Sequence, residues 1–411
     1  MITLDRVHLT EDDRALLGGE GGEAARIAID LLVRTAEAMA APRLLDISGA
    51  HIDGCLYHGL AGLDFARSLA DAGGRVVVPT TLNVSSLDLL HPELYRGDPD
   101  DAALSRELMV AYEDMGCRPT WTCAPYQLPE RPVLGQQVAW GESNAIVFAN
   151  SVLGARTNRY GDFLDICCAL TGRAPEVGLH TDEGRRATLA VDVDVPEEWK
   201  DDDLLYVAVG LALGQIAGTE VAVITGLDDR ADEDRLKAVG AAAASSGAVG
   251  LFHVSGLTPE AETLGAEPNR RVHVTGDQLL ATLRSITGTG PLGAVSLGTP
   301  HASAREIEDL AALCDGSRSK VPFFVNTGRD VAASVPESLV TIRDFGGTVV
   351  TDTCTYLTPI LGRVDGVVMT NSGKWAYYAP ANIGVGVAFG NTRDCVESAV
   401  LGEIVNTGML G

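Results

Sequence analysis

The sequence predicts an α/β fold built around largely parallel sheets. In the second half of the chain, short apolar runs typical of strands alternate with amphipathic helical patterns, and this alternation indicates βαβ units. No fixed-period repeat and no low-complexity linker interrupts the pattern. With 411 residues, of which 46% are hydrophobic, the chain can bury a large core divided over two or three domains.

The first half begins with helices. Thr10 predicts a helix start, because threonine caps helices and the acidic residues at 11–13 suit a first turn. Apolar residues from Ile27 to Ala36 recur at helical spacing and predict a second helix. The pattern then predicts strands at 44–47 and 75–78 and helices at 60–72 and 102–116, whereas 80–88 fits neither type.

The hydrophobic pattern of the sequence changes after Pro196. Segment 204–225 predicts a buried helix followed by a strand, since its polar residues and glycines argue against a membrane span. Further strands are predicted at 250–254, 295–297, 323–326, 348–351, 367–370 and 385–389, with helices at 304–314 and 335–344 among them. We therefore expect one region at 1–195, with polar loops and Cys123, and a second at 196–411.

The net charge and the distribution of cysteines limit the possible partners and the cellular compartment. The net charge of −25 repels nucleic acid and anionic lipid, so neither is an expected partner. The first residues show no secretory signal. Eight dispersed cysteines in 411 residues do not form a disulfide framework. We expect a cytoplasmic protein with reduced thiols.

Three cysteines lie where loop ligands are expected. Cys123 precedes an alanine and a proline, Cys354 ends an apolar strand-like run, and Cys55 lies among small polar residues. No close Cys-x-x-Cys pair is present, so a ferredoxin-like cluster or a structural zinc site is not favoured. Dispersed cysteines can still hold an iron–sulfur cluster or a single iron. The remaining cysteines fit core packing better.

Other polar segments have two interpretations each. His51 and His301 lie in polar loops, where a histidine acts in catalysis or only makes structural hydrogen bonds. The turn 372–374 is either a helix N-terminus that binds a carboxylate or phosphate, or an ordinary strand-to-helix turn. The amides, hydroxyls and guanidinium between 141 and 158 suit substrate binding or turn formation. Glycine-rich stretches at 19–24 and 288–293 lack the strand–turn–helix context of a dinucleotide site.

Taken together, these motifs resemble the aconitase X family along essentially the whole chain. The matching stretches are His51-Ile52-Asp53-Gly54-Cys55, Pro79-Thr80-Thr81-Leu82-Asn83, Thr122-Cys123-Ala124-Pro125-Tyr126, Gly141-Glu142-Ser143-Asn144, Ala155-Arg156-Thr157-Asn158, Gly298-Thr299-Pro300-His301, Asp352-Thr353-Cys354 and Asn371-Ser372-Gly373-Lys374. The resemblance implies an aconitase-like multi-domain α/β/α architecture around a central cleft that holds iron or an iron–sulfur cluster. It also implies a swivelling β domain, which we expect on a separate small subunit because the motifs end close to Gly411.

The family resemblance implies a hydro-lyase acting on a small carboxylic acid. Some members resemble dehydratases of cis-3-hydroxy-L-proline, and others dehydrate 5-phosphomevalonate. In the second group a cysteine is expected within the Gly-x-Pro-His motif, where this chain has Thr299. That departure favours hydroxyproline, with phosphomevalonate dehydratase as the alternative and a non-catalytic scaffold subunit as a third possibility.

The resemblance also implies roles for individual residues. Cys123 and Cys354 are expected to bind the metal, with Cys55 as third ligand. Ser372, Lys374, His51 and His301 are the expected catalytic residues. The expected substrate-binding residues are Thr81, Asn83, Ser143, Asn144, Arg156, Thr157, Asn158 and Thr299.

Overall fold

Parallel strand pairing dominates the structure. The computed structural model describes residues 7–265 and 268–411. Its strands form four sheets, three of them parallel throughout, and one two-stranded antiparallel sheet completes the set. The predicted α/β class with largely parallel sheets is confirmed. Across the described residues, no helix is both long and apolar enough to cross a bilayer.

The first part of the chain surrounds a small parallel sheet with helices. The strands of this part of the chain are β1 (Leu44–Asp46), β2 (Ala50–Ile52), β3 (Thr80–Leu82), β4 (Ala139–Trp140) and β5 (Arg173–Pro175). Its helices are α1 (Glu11–Leu17), α2 (Glu23–Ala38), α3 (Leu60–Asp71), α4 (Pro99–Asp114), α5 (Ser143–Phe148), α6 (Leu164–Thr171) and α7 (Asp182–Arg185). Strand β2 lies between β3 and β4, and β1 pairs with β5. As predicted, Thr10 caps α1, with a capping box to Asp13.

A four-stranded parallel sheet follows in the order β8-β7-β6-β9. Its strands are β6 (Leu189–Asp194), β7 (Ala222–Thr225), β8 (Phe252–Val254) and β9 (Arg270–Thr275), and its helices are α8 (Asp203–Ala217), α9 (Glu233–Ser246), α10 (Ala261–Leu264) and α11 (Gly276–Ile286). Helix α8 is buried on nearly every face. The buried helix and following strand predicted within 204–225 are thus confirmed as α8 and β7.

The last part contains a five-stranded parallel sheet in the order β12-β11-β10-β13-β14. Its strands are β10 (Leu292–Ala302), β11 (Phe323–Thr327), β12 (Gly347–Val350), β13 (Val367–Thr370) and β14 (Gly386–Phe389), and its helices are α12 (Ala304–Cys314), α13 (Arg329–Ser334), α14 (Pro336–Phe345), α15 (Gly373–Ile383) and α16 (Thr392–Leu401). The chain leaves β10 toward one edge and returns through β13 on the other side. Ligands of open parallel sheets bind at the carboxyl ends beside such a reversal.

One predicted strand is wrong. The β-branched run at 75–78 is not a strand, and β3 lies instead at Thr80–Leu82, inside the segment that fitted neither type. The amide groups of Val76 and Val77 donate to the carbonyls of Met115 and Ala169, one in a turn and one inside a helix. No strand neighbour runs beside 75–78, so β-propensity alone could not make a strand there.

Five further strands were missed, namely β2, β4, β5, β6 and β9, and β6 is one of the two inner strands of its sheet. It pairs in parallel with β7 and with β9 over its length. Strand β6 ends at Asp194, and its partners lie beyond residue 195. The division of the chain at residue 195 stays a prediction.

A buried ionic network joins the first and second sheets. Arg185, fully buried, donates through Nε to Glu260 at 2.8 Å and through Nη1 to the Asn150 side chain at 2.8 Å. Its Nη2 also donates to the Asn150 carbonyl at 2.9 Å. Removing one partner of such a pair leaves a charge buried without compensation.

We expect Arg185→Met to lower the free energy of unfolding by about 3–5 kcal/mol, because Glu260 and Asn150 would lose buried donors. Arg43→Met is the matched control, since Arg43 pairs with Glu176 while 59% exposed, and an exposed pair contributes less than about 1 kcal/mol. Urea unfolding of both variants measures the difference. Equal losses for the two variants would contradict the importance of the buried network.

Candidate active site

The carboxyl ends of two parallel sheets face each other and supply the candidate site. In the first sheet, Asn83, Asp53 and Glu142 directly follow or lie just beyond β3, β2 and β4. In the five-stranded sheet, His301 lies near the end of β10, while Cys354 and Lys374 follow β12 and β13. Cys123 comes from the loop after α4. These segments meet although they are far apart in the chain.

Cys123 and Cys354 form the centre of the site. Their sulfurs lie 4.0 Å apart across a separation of 231 residues, and the residues are only 2% and 1% exposed. Two thiolates bound at ~2.3 Å to one tetrahedral metal are separated by ~3.8 Å. Together with His301, their ligand atoms lie within 4.8 Å of one another. The donor set therefore fits a metal.

The backbone before each cysteine is left-handed. Trp121 has φ of 45° and Asp352 has φ of 60°, and each lies two residues before its cysteine. Such conformations cost of order 1–3 kcal/mol for residues other than glycine and persist only where surrounding contacts impose them. The Asp352 carboxylate accepts from Arg329 Nη2 at 2.6 Å and from the Leu89 amide at 3.0 Å. Tertiary contacts thus hold the Cys354 loop in place.

His301 links the two cysteine loops. Its Nε2 lies 3.1 Å from the carbonyl oxygen of Thr353, and its Nδ1 lies 3.1 Å from the hydroxyl of Thr122. A carbonyl only accepts, so Nε2 carries the proton and Nδ1 accepts from the threonine. The His301 amide also donates to Cys123 Sγ at 3.3 Å. These contacts position the cysteines, and they engage both ring nitrogens.

The surroundings of the cysteine pair shift the pKa values of its two thiols in opposite directions. Burial alone would raise the pKa of Cys123, but the Cys354 thiol, His301 and Lys374 lower it to about 6. The pKa of Cys354 is raised well above its ordinary value, first by the neighbouring Cys123 sulfur and then by burial. Thiolates are the metal ligands, so Cys123 is already in the binding form, whereas Cys354 would release its proton when a metal binds.

We expect thiolate absorbance at 240 nm in the metal-free chain to rise with a midpoint near pH 6, reporting Cys123. In Cys354→Ala the midpoint should move to higher pH, because Cys123 loses the S–H donor that stabilises its charge. Cys314, buried in α12, provides the control substitution Cys314→Ala. A midpoint that is unchanged in Cys354→Ala would show that the thiols do not interact.

An ion pair between Lys374 and Glu142 spans the two sheet edges. Their side chains are each 4% exposed. Burial alone would lower the pKa of Lys374, but the Glu142 carboxylate raises it well above its ordinary value. Burial likewise opposes the charge on Glu142, yet Lys374 keeps the pKa of that carboxyl below its ordinary value. Both groups are therefore charged inside the protein.

His51, Thr81, Asn83 and Asp53 lie together at the end of the first sheet. The His51 Nδ1 lies 2.8 Å from the Thr81 hydroxyl, while its buried Nε2 makes no hydrogen bond to any residue that the structure describes. Burial lowers the pKa of His51 to about 4, so the ring is neutral. Burial also raises the pKa of Asp53, to about 7, with Glu142 and Asp162 adding to the effect. The side-chain amide of Asn83 donates to the Asp53 carboxylate.

Thr299 and Ser372 lie at the reversal between β10 and β13. The Ser372 hydroxyl caps α15 by accepting from the Trp375 amide at 3.0 Å, and it donates to the Thr299 carbonyl. The Thr299 hydroxyl, in a residue 6% exposed, has no hydrogen-bond partner. Both residues line a cavity of about 530 Å³ between the second and third sheets. The cysteines do not line it.

Comparison with known proteins identifies the family. The models for the first, second and third domains of aconitase X match residues 6–183, 187–284 and 292–401. The chain belongs to the aconitase X family. The crystal structure of Thermococcus kodakaraensis aconitase X (holo-form) matches with a TM-score of 0.87 at 32% identity, over 96% of this chain and 100% of that one.

Two sets of aconitase X relatives bear on the reaction. The chain is 45% identical to cis-3-hydroxy-L-proline dehydratase of Pseudomonas aeruginosa, over 95% of this chain and 70% of the relative. Identity to the enzyme of that name from Hypocrea jecorina is 42%, over 96% and 68%. Identity to the phosphomevalonate dehydratase large subunit of Methanosarcina mazei is 37%, over 97% and 98%. The chain is thus a hydro-lyase of the aconitase X family and of its hydroxyproline dehydratase type.

Several residues expected to bind substrate make hydrogen bonds or ion pairs within the protein. Asn144 donates to the Cys123 carbonyl at 2.9 Å and accepts from Tyr126, so it supports the cysteine loop. Arg156 pairs with Asp182 and Glu260. Both carboxylates pair with its Nη2 nitrogen.

Thr157 and Asn158 are likewise engaged within the protein. The Thr157 hydroxyl accepts from the Trp140 amide at 3.0 Å, and Asn158 donates to the Val177 carbonyl at 2.9 Å. Ser143 is half-buried and lies beside the ion pair, 3.5 Å from Lys374 Nζ. Of these loop residues, Ser143 is the one that these contacts place beside Lys374.

Cys55 is not part of the cysteine and histidine group. Its sulfur faces the carbonyls of Ile52 and Asn83 at 3.4 and 3.3 Å. Burial raises the pKa of Cys55 well above its ordinary value, and nearby Asp53 and Asp165 add to the shift. A protonated thiol that donates to carbonyls is a poor metal ligand, so the structure lends no support to Cys55 as the third ligand.

Two residues at the centre of the site, Glu142 and Asp53, were not among those singled out from sequence. Both lie inside stretches that carried the resemblance, and both directly follow or nearly follow a buried strand. The strands that place these acids, β2 and β4, were not predicted, so there was no predicted strand end from which to select Asp53 or Glu142. The partner of Glu142 lies 232 residues away, which one sequence does not reveal.

We expect Glu142→Gln to lower the free energy of unfolding by about 3–5 kcal/mol, because it leaves the Lys374 ammonium buried without its counter-ion. The double variant Glu142→Gln/Lys374→Met removes both charges and should recover much of that loss. Ser143→Ala is the neighbouring control. Urea unfolding gives the coupling energy, and purely additive effects would contradict a charged pair.

Proposed function

We propose that this chain dehydrates cis-3-hydroxy-L-proline to Δ1-pyrroline-2-carboxylate, using iron held by Cys123 and Cys354. The observation that supports this most directly is the buried cysteine pair, 4.0 Å apart, beside a buried ammonium, in a chain whose hydroxyproline dehydratase relatives reach 45% identity. We propose either an iron–sulfur cluster or a single iron as the bound group.

The reaction removes the proton on C2 and the hydroxyl on C3 of the ring. The C2 proton is weakly acidic and hydroxide is a poor leaving group, so the site must assist both departures. Iron bound at the thiolates supplies a Lewis acid for substrate oxygen. The enamine product then tautomerises, as a proton moves from nitrogen to C3 and the double bond shifts to C2 and nitrogen.

The chain's own residues suit the proton transfers. His51 is neutral and its Nε2 is free of hydrogen bonds within the described residues, so it can accept a proton. Lys374 stays charged beside Glu142, so it can bind a carboxylate or donate toward the departing hydroxyl. Ser372 caps the helix that presents Lys374. His301 positions the cysteines, because both its ring nitrogens are already hydrogen-bonded, one to the Thr122 hydroxyl and the other to the Thr353 carbonyl.

We propose that the chain acts with a separate small subunit. Phosphomevalonate dehydratase relatives are named large subunits, a name that implies a small partner subunit. We propose that this small subunit carries the swivelling domain that closes the cleft. The eight unpaired, buried cysteines suit a reducing compartment, and we propose the cytoplasm.

Phosphomevalonate dehydration is the second candidate, because the chain is 37% identical to one such large subunit. That substrate has a phosphate, which calls for unpaired basic side chains. Arg156 and Lys374, the cations among the expected site residues, are both paired with carboxylates. This favours the amino acid substrate.

We expect the chain, purified without oxygen together with its small subunit, to turn over cis-3-hydroxy-L-proline and not 5-phosphomevalonate. Cys123→Ala and Cys354→Ala should each lose iron and lower turnover by about a hundredfold or more. Cys314→Ala, a buried cysteine of α12, should retain both. Iron analysis and a product assay measure these outcomes. Turnover of phosphomevalonate alone would overturn the substrate, and a chain without iron that is indifferent to both substitutions would indicate a scaffold subunit.

A further inference from the structure

Asp53 is a carboxylate without a counter-ion. It is half-buried at the carboxyl end of β2, where its Oδ1 accepts from the Asn83 side chain. Among the described residues it forms no ion pair, since the nearby Lys374 ammonium is bound to Glu142. Glu142 and Asp162 add negative potential at Asp53, which Lys374 offsets in part. A cation is therefore the ligand that this position favours.

Asn83 adds a second free acceptor at the same place. Its Nδ2 faces the Asp53 carboxylate, which fixes the amide orientation because the opposite one would set two acceptors against each other. The remaining Oδ1 has no hydrogen-bond partner within residues 7–265 and 268–411, although Asn83 is 2% exposed. The backbone N–H of Asn83 donates to the Ile52 carbonyl at 2.9 Å, so the residue is held beside β2. A buried unpaired carbonyl gains from a donor brought by a ligand.

We propose that Asp53 and Asn83 bind the ring ammonium of a cyclic amino acid substrate. A secondary ammonium carries a positive charge and two N–H donors, which match one carboxylate and one amide oxygen. The inference rests on the proposed function and names the part of the substrate that the chain selects. Phosphomevalonate contains no nitrogen, so it cannot satisfy these acceptors.

Binding of three ring carboxylates to the full 411-residue chain, measured by calorimetry, tests the ammonium site. L-proline has the ring ammonium and lacks the reacting hydroxyl, tetrahydrofuran-2-carboxylate has an oxygen in that position, and cyclopentanecarboxylate has a methylene. L-proline should bind about tenfold or more tightly than the other two. Equal affinities for the three, or no binding of L-proline, would overturn the proposal. This series needs no substitution.

Asp53→Asn should reduce the affinity for L-proline by about tenfold or more and leave the weak binding of cyclopentanecarboxylate unchanged. Asp162→Asn is the matched control, because it removes a charge that acts on Asp53 from an exposed residue that Asn83 does not contact. It should change L-proline affinity by less than about threefold. Equal losses in the two variants would mean that general negative potential, rather than the Asp53 contact, holds the ligand.

Failure of this inference and failure of the proposed function give different results. Turnover of cis-3-hydroxy-L-proline with an unchanged KM in Asp53→Asn would reject the ammonium site and keep the reaction. Selective L-proline binding without any turnover of cis-3-hydroxy-L-proline would keep the site and reject the reaction.

Discussion

The ion pair between Lys374 and Glu142 is the contact on which the site depends. It joins the carboxyl edges of two separate sheets, and both side chains are almost fully buried. Isolated charges in such surroundings are strongly unfavourable, so each residue holds the other at the interface. Because Glu142 also caps α5 through the Ala145 amide at 2.7 Å, the pair fixes the chain that leads into the polar loop. The ion pair is therefore needed both for the geometry of the site and for the stability of the interface between the two sheets.

The same contact organises the charge of the site. Lys374 lowers the pKa of Cys123 on one side and that of Asp53 on the other. Glu142 acts in the opposite direction at both positions. The cysteine pair and the first sheet's polar edge are thus two halves of one electrostatic environment. A substrate bound between them would meet thiolate-bound metal at one end and acceptors at the other.

Sequence reasoning was effective where local pattern determines structure. The helices at Glu11–Leu17 and Ala304–Cys314 and the strands of the last sheet follow from capping and periodicity. It failed at 75–78, where β-branched residues lack a neighbouring strand. At the site, Cys123 and Cys354 stood out because small polar residues surround them. Arg156 was also expected at the site, and its guanidinium is paired with Asp182 and Glu260, contacts that no local sequence pattern indicates.

Contacts within the protein hold both cysteines of the proposed metal site in place. Cys123 is held through its carbonyl by Asn144 and through its sulfur by the His301 amide. The loop of Cys354 is held by Asp352 and its ion pair with Arg329. Metal binding at the proposed site would not have to gather ligands from a mobile chain, so little of its free energy would be lost to ordering them. Because the two sulfurs come from different sheets, their spacing depends on the interface that Glu142 and Lys374 maintain.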